Sequence, residues 1–210
     1  MRSNLVKLLC EFGLKKIVFF DLISLFIGIS EISKKIDQNK IDKLAKSLLK
    51  IKKQGGRLFF LGVGGSAGNA SHAVNDFRKL CEIESYTPTD NVSEFSARIN
   101  DDGWNSSFKE WLRVSNLNKK DAIFILSVGG GNLTKKVSLN LVEATKYAKK
   151  IKSKVFGIVG RDGGFTKKNG NEIIIIPNVD LKLVTPFTEA YQAVVWHCLV
   201  SHPTLQKIKT

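Results

Sequence analysis

Cysteine is scarce in this chain. Cys10, Cys81 and Cys198 lie far apart and form no C-x-x-C pair. That excludes a disulfide framework and a Cys-based zinc knuckle, and it suits a reducing, cytoplasmic setting. Long apolar runs are missing too. The strongest, Ile17 to Ile29, is too short to cross a bilayer and is broken by Asp21, so no membrane span is expected. Lys15 and Lys16 precede it, but Gly28-Ile29-Ser30 leads into Glu31 and a charged helix. The absence of a small-x-small cleavage pattern argues against a secretory signal. The expectation for this stretch is a helix that packs on a partner subunit. Internal repeats and low-complexity tracts are absent. Acidic residues are few: 19 Asp and Glu face 33 Lys and Arg, for a formal net charge of +14. Such an excess invites a nucleic-acid hypothesis. Yet no basic run is interleaved with aromatics, and Lys43, Lys46, Lys50, Lys146, Lys149 and Lys150 are spread over different predicted helices. The charge reads as a Lys-rich solvated surface, with no specific nucleic-acid partner.

What is present fits one domain. At 210 residues, with 43% hydrophobic and 25% charged content, the chain suits an α/β domain with an extra helical piece and a substantial core. The stretch Leu58 to Phe77, LFFLGVGGSAGNASHAVNDF, organises it. Leu58-Phe59-Phe60-Leu61 is short and continuously apolar, as a strand buried on both faces would be. It stops at Gly62-Val63-Gly64-Gly65-Ser66, where glycines allow a tight turn and a close approach of backbone N–H groups to a ligand. A helix opening near Ser66 would aim its first-turn donors and positive dipole end at that loop, which makes an anion cradle. His72 and Asp76, four apart, share a face of that helix. A strand-turn-helix with small residues chosen for packing is the plainer alternative for a Gly-rich turn taken alone.

Around this unit the pattern repeats. From Asp42 the spacing of Leu44, Leu48 and Leu49 predicts an amphipathic helix ended by Gln54-Gly55-Gly56. Pro88 excludes a central strand, and Asp90 or Asn91 can cap a helix. Asn100-Asp101-Asp102-Gly103 is a turn, and Trp104 to Val114 a helix. Ala122 to Ser127 is a second buried strand, followed by Gly129-Gly130-Gly131, Asn132 and a long helix to about Lys150. Val155 to Val159 and Ile173 to Ile176 are further strands, the third followed by Gly160-Arg161-Asp162-Gly163-Gly164. Phe187 to Val200 closes the chain as a helix. Strands alternating with helices argue a parallel sheet covered on both faces, with ligands outside the carboxyl ends of the strands.

The GxGGS loop with a His-bearing helix, the Asn100-Asp101-x-Gly turn, the glycine loop after AIFILS and a last helix with Glu and His occur in this order. The pattern resembles the sugar isomerase (SIS) domain family, and within it the phosphoheptose isomerases. The resemblance covers residues 42–202, leaving 1–41 as an N-terminal helical segment for oligomerisation and 203–210 as a tail. It implies a three-layer α/β/α sandwich with a mostly parallel five-stranded sheet, assembled as a homotetramer with sites between subunits. It also implies sugar-phosphate binding by Gly64, Gly65, Ser66 and Asn69 of the first loop, by Ser127, Gly129, Gly130, Gly131 and Asn132 of the second, and by Asp101. A metal, zinc in many members, would be held by His72, Asp76, Glu189 and His197. This chain departs from the family in four places. Asp stands for Glu at 76, Glu for Gln at 189, Val63 for a common Asn, and Val128-Gly129-Gly130-Gly131 for most of a hydroxyl-rich phosphate loop.

Ketose–aldose isomerisation moves a proton between adjacent carbons through an enediol, and needs a base, an acid at the oxygens and stabilisation of developing negative charge. A metal held by histidines and carboxylates supplies Lewis-acid polarisation. Asp76 and Glu189 are then either ligands or the proton carrier, and His197 the opposite acid or base. A single helical His is usually structural; what singles out His72 and His197 is a carboxylate at helical spacing from each. His202, before Pro203, reads as a chain-end surface residue. Three functions follow: an isomerase of a phosphorylated heptose, a non-catalytic sugar-phosphate sensor or partner-binding module, and a nucleic-acid-associated protein resting on charge alone.

Overall fold

The computed structural model describes residues 16–206, with side chains from residue 23 onward; Cys10 and the first part of the apolar N-terminal run lie outside that description. Two helices come first, α1 (Lys16–Lys35) and α2 (Gln38–Lys53). Then follow β1 (Leu58–Leu61), α3 (Gly65–Cys81), β2 (Ser85–Tyr86), α4 (Val92–Asp102) and α5 (Ser107–Val114). The second half holds β3 (Ala122–Ser127), α6 (Leu139–Lys150), β4 (Lys154–Val159), α7 (Gly164–Asn169), β5 (Glu172–Ile175) and α8 (Val184–Val200). No described helix is long and apolar enough to cross a membrane.

The five strands form one sheet in the order β2-β1-β3-β4-β5, every pair parallel. The continuous apolar runs are explained by burial on both faces. Leu58 and Phe60 of β1, with Phe124, Leu126, Phe156 and Ile158, face one layer, where Ile32 of α1, Leu44 and Leu48 of α2, Ala73 and Phe77 of α3, and Val195, Trp196 and Leu199 of α8 meet them. Phe59, Leu61, Ile123, Ile125, Val155 and Val159 point the other way, onto Phe108, Trp111 and Leu112 of α5 and Leu141, Ala144 and Ala148 of α6. The period-2 alternation along each strand thus divides one apolar run between two cores. The second half of α1 packs on its own chain: Gly28 lies against the Phe187 ring, where a Cβ would collide, and the Tyr191 hydroxyl reaches Ser33 Oγ at 2.6 Å.

Several segments differ from their sequence reading: α5 starts at Ser107 rather than Trp104, and the short α7 has no signal in its glycine-rich loop. The two-residue edge strand β2 carries no apolar pattern to announce it. Residues 100–103 are the end of α4 rather than a free turn, with Gly103 (φ +81°) stopping it. The helix after Asn132 begins only at Leu139. Before it, Asn132 and Val137 form an antiparallel bridge, and Lys136 (φ +52°) and Ser138 (φ +49°) adopt left-handed backbone that a helix cannot contain.

Candidate functional site

Two places on the molecule carry chemistry, and α3 connects them. The first is a cleft of about 960 Å³ at the carboxyl ends of β1, β3 and β4. Ser66, Ser127, Gly129, Gly131 and Asn132 line it, as the sequence led one to expect, and so do Lys135, Ser138, Arg161, Asp162 and Thr185. The second loop is held in shape by its own bonds. Gly130 donates its N–H to Ser127 Oγ at 3.0 Å, and its carbonyl accepts from Thr166 N and Thr166 Oγ1. A Cβ on Gly130 would strike the Gly163 carbonyl. Gly130 is thus held by the loop's own bonds and does not line the cleft, unlike Gly129 and Gly131. The N–H groups of Gly129 and Gly131 donate to no acceptor among the described residues, which leaves them for an anion.

Ser138 supplies what the glycine loop lacks. It stands at the N-cap of the twelve-residue α6, makes no capping bond with its side chain and lines the cleft, so its hydroxyl is free beside the positive end of a helix. In the first turn of α6, Asn140 is buried and its Nδ2 finds no partner among the described residues. Lys135 and Arg161 add two cationic side chains to the wall, neither in an ion pair among the described residues. The only carboxylate lining it among the described residues is Asp162, whose Oδ1 accepts from Gly164 N at 3.1 Å.

Several expected contacts fall elsewhere. Asp101 is exposed on α4, accepts from Asn100 Nδ2 at 2.8 Å and does not line the cleft. Asn69 ties α3 to α8, donating to the Glu189 carbonyl at 2.9 Å and to Gln192 Oε1 at 2.8 Å. Ser66 Oγ accepts from Gln192 Nε2 at 3.0 Å, which leaves its proton free to donate. Gly64 caps α3 with φ +62°, and Gly65 lies against the Glu189 carboxylate.

The second place lies between α3 and α8. His72, Asp76 and His197 come together there with one ligand atom each, all within 4.8 Å of one another. Both imidazole Nε2 atoms stand 3.5 Å from Asp76 Oδ2. The arrangement is fixed from behind. Trp196 Nε1 donates to Asp76 Oδ2 at 3.0 Å, and Asn75 Nδ2 to Oδ1 at 3.1 Å. His197 Nδ1 meets the Ala193 carbonyl at 2.8 Å; a carbonyl only accepts, so Nδ1 donates, and Nε2 is turned toward the carboxylate. The two imidazoles are half exposed while Asp76 is buried, so the group opens outward.

Two imidazole nitrogens and a carboxylate oxygen are a donor set for a divalent metal of the zinc type. A tetrahedral ion with ligands about 2.0–2.1 Å away sets its ligand atoms about 3.3 Å apart, close to the two 3.5 Å separations. The Nδ1–H to carbonyl bond is the usual outer support of a metal-bound histidine. The residues present fit such an ion. Glu189 is not in the group. Eight residues before His197, it is offset by about 12 Å of helix rise, which sets its carboxylate at Gly65.

Lys135, Ser138, Arg161 and Trp196 escaped the sequence reading. Arg161 was visible in a glycine-flanked loop after a strand, where ligand contacts concentrate. Ser138 was hidden by taking residues 133–138 as helix. Trp196 could not be found from spacing, since its partner lies 120 positions away.

A family model described as SIS domain matches residues 28–160. The lincomycin biosynthesis protein LmbN of Streptomyces lincolnensis is 32% identical over 159 residues, 70% of this chain; the chain spans 56% of that protein's length. A phosphoheptose isomerase of Aliarcobacter butzleri is 28% identical over 176 residues, covering 81% of this chain and 85% of its own. Among solved structures, the phosphoheptose isomerase GmhA of Neisseria gonorrhoeae superposes with a TM-score of 0.74 at 22% identity, over 87% of this chain and 95% of that one.

Proposed function

The chain belongs to the SIS domain family, and from that premise we propose that it is an aldose–ketose isomerase of a phosphorylated heptose. It interconverts sedoheptulose 7-phosphate and D-glycero-D-manno-heptose 7-phosphate, in the cytoplasm, as a source of heptose precursors for surface polysaccharide. The observation that carries this reading is the convergence of His72, Asp76 and His197, a group that a sugar-phosphate sensor does not need. The naming of several relatives as phosphoheptose isomerases supports the substrate.

In this reading the phosphate sits in the cleft on the N–H groups of Gly129 and Gly131 and the hydroxyls of Ser66 and Ser138, with Arg161 and Lys135 balancing its charge. These replace the hydroxyls that the Gly129-Gly130-Gly131 loop has lost. His72, Asp76 and His197 hold a zinc ion, which supplies Lewis-acid polarisation of the sugar oxygens. Trp196 keeps Asp76 turned toward the two imidazoles. Glu189, outside that group and one residue from cleft-lining Ser66 through its contact with Gly65, is the free carboxylate. It takes the proton-carrier role.

Ser66 and His72 are six residues apart on α3, about 9 Å of rise, so one chain sets its anion cleft and its ligand group at different points of one helix. A homotetramer whose subunits complete one another's sites is the assembly that goes with this reading. The test is direct. Purified protein is mixed with sedoheptulose 7-phosphate and the aldose product is followed by NMR. Conversion supports the isomerase; tight binding without conversion assigns the chain to the sensors.

A further inference from the structure

The side-chain amides between α3 and α8 form a chain of hydrogen bonds with a direction, and it ends at the cleft. The Glu189 carbonyl only accepts, so the Asn69 group that meets it at 2.9 Å is the Nδ2 amine. The same Nδ2 stands 2.8 Å from the Gln192 side chain, which presents its oxygen there. That turns the Gln192 amine to the other side, where Nε2 lies 3.0 Å from Ser66 Oγ. An amide N–H only donates, so Ser66 Oγ is held as the acceptor. Each assignment follows from the one before, and the first is set by a backbone oxygen that has no second role.

Ser66 therefore keeps its own proton to give. A helical serine commonly donates to a carbonyl one turn earlier, but Ser66 Oγ makes no bond besides the one from Gln192 among the described residues. Ser66 is 2% exposed and lines the cleft, so the cleft is the open direction for that proton. Gln192 itself is fully buried, on a helix whose Val195, Trp196 and Leu199 fill the core. An apolar side chain would pack there without the desolvation cost of an amide. Packing alone does not call for glutamine at this position; a directed hydroxyl does.

We propose that Gln192, fixed by Asn69, is a positioning residue that aims the Ser66 hydroxyl at the anion in the cleft. Ser138, the other hydroxyl assigned to that anion, makes no capping bond and has no such guide. A hydroxyl aimed before the ligand arrives has less freedom to lose on binding. This rests on the cleft being the phosphate site, and not on which sugar carries the phosphate or whether that sugar is isomerised.

The experiment is calorimetric titration of inorganic phosphate into the full chain, for the parent, Ser66→Ala, Gln192→Met and the double variant, with circular dichroism on each. Ser66→Ala weakens binding by about 2- to 12-fold, as the loss of one neutral hydrogen bond does. Gln192→Met, which keeps the length and loses both polar atoms, weakens it by about threefold or more, up to the level of Ser66→Ala. The double variant stays within about 1.5-fold of Ser66→Ala, because with the hydroxyl gone nothing is left to aim. A glutamine that only joined α3 to α8 would weaken binding with or without that hydroxyl. Losses that multiply in the double variant therefore overturn the proposal. Asn69→Ala gives a second route, since it keeps Gln192 and frees its amide to turn. It weakens phosphate binding in the parent background and not in Ser66→Ala, and it decides the matter alone if Gln192→Met does not fold. Unchanged affinity in both Gln192→Met and Asn69→Ala overturns the proposal and leaves the cleft as the phosphate site. A parent that binds no phosphate overturns both.

Discussion

Ser138 and Arg161 show how a phosphate site can be rebuilt after its loop hydroxyls are gone. The hydroxyl comes from the cap of α6 and the charge from the loop after β4, so the two should contribute unequally. Arg161→Met, removing a charge-assisted contact, should weaken sugar-phosphate binding by about 10- to 150-fold. Ser138→Ala, removing a neutral one, should weaken it by roughly 2- to 12-fold. Calorimetry on both variants checks the order; equal affinities in parent and Arg161→Met would remove Arg161 from the site. A second residue-scale prediction concerns Cys81. Burial pushes its thiol up to about 11, against a smaller opposing pull from Lys52. The native chain therefore keeps a proton that the unfolded chain releases near the ordinary thiol value of 9.0. Its contribution to stability is full below that value and is lost as pH rises toward 11. The denaturant midpoint should drop across that window, and Cys81→Ala should flatten the drop. In native protein at about pH 8 an alkylating reagent should modify exposed Cys198 and leave Cys81 untouched.

Among the elements, two neighbouring glycines of the loop after β3 look alike in sequence and differ in use. A Cβ on Gly129 would meet nothing nearer than Arg161 Cδ at 4.0 Å, whereas Gly130 has φ +65° and the Gly163 carbonyl in the way. Gly130→Ala should cost at least about 1–2 kcal/mol from the left-handed backbone alone, read as a lower denaturant midpoint. Gly129→Ala should fold normally and act only on binding. The three inner strands β1, β3 and β4 were legible because burial on both faces leaves an unbroken apolar run, and the edge strand β5 because of its run of isoleucines. Ser85–Tyr86 was not, because two residues carry no period. The segment 133–138 reads as the beginning of the helix after Asn132, yet it is a loop in the structure. Nothing in residue types there reveals the left-handed backbone at Lys136 and Ser138. In the site, the i, i+4 pair on α3 was legible, and its partner helix was found through the family pattern. The separation of Glu189 from His197 needed the helix rise, not just the shared face, to be taken into account.

For the whole molecule, the +14 charge now has a distribution. Some of it is taken up in surface ion pairs such as Lys46–Asp42 and Lys146–Glu143, and Lys135 and Arg161 face the cleft. In the proposed function, His72, Asp76 and His197 between α3 and α8 hold one divalent ion per chain, on which isomerisation depends. His197→Ala tests it most directly, with zinc content, calorimetric binding of sedoheptulose 7-phosphate and turnover measured on one preparation beside the parent. The parent should carry about one zinc per chain, one ion for the one such group among the described residues. The variant should lose the ion, lose most of its turnover, and keep its sugar-phosphate affinity within a few-fold. Unchanged zinc content and unchanged turnover in His197→Ala would contradict the claim.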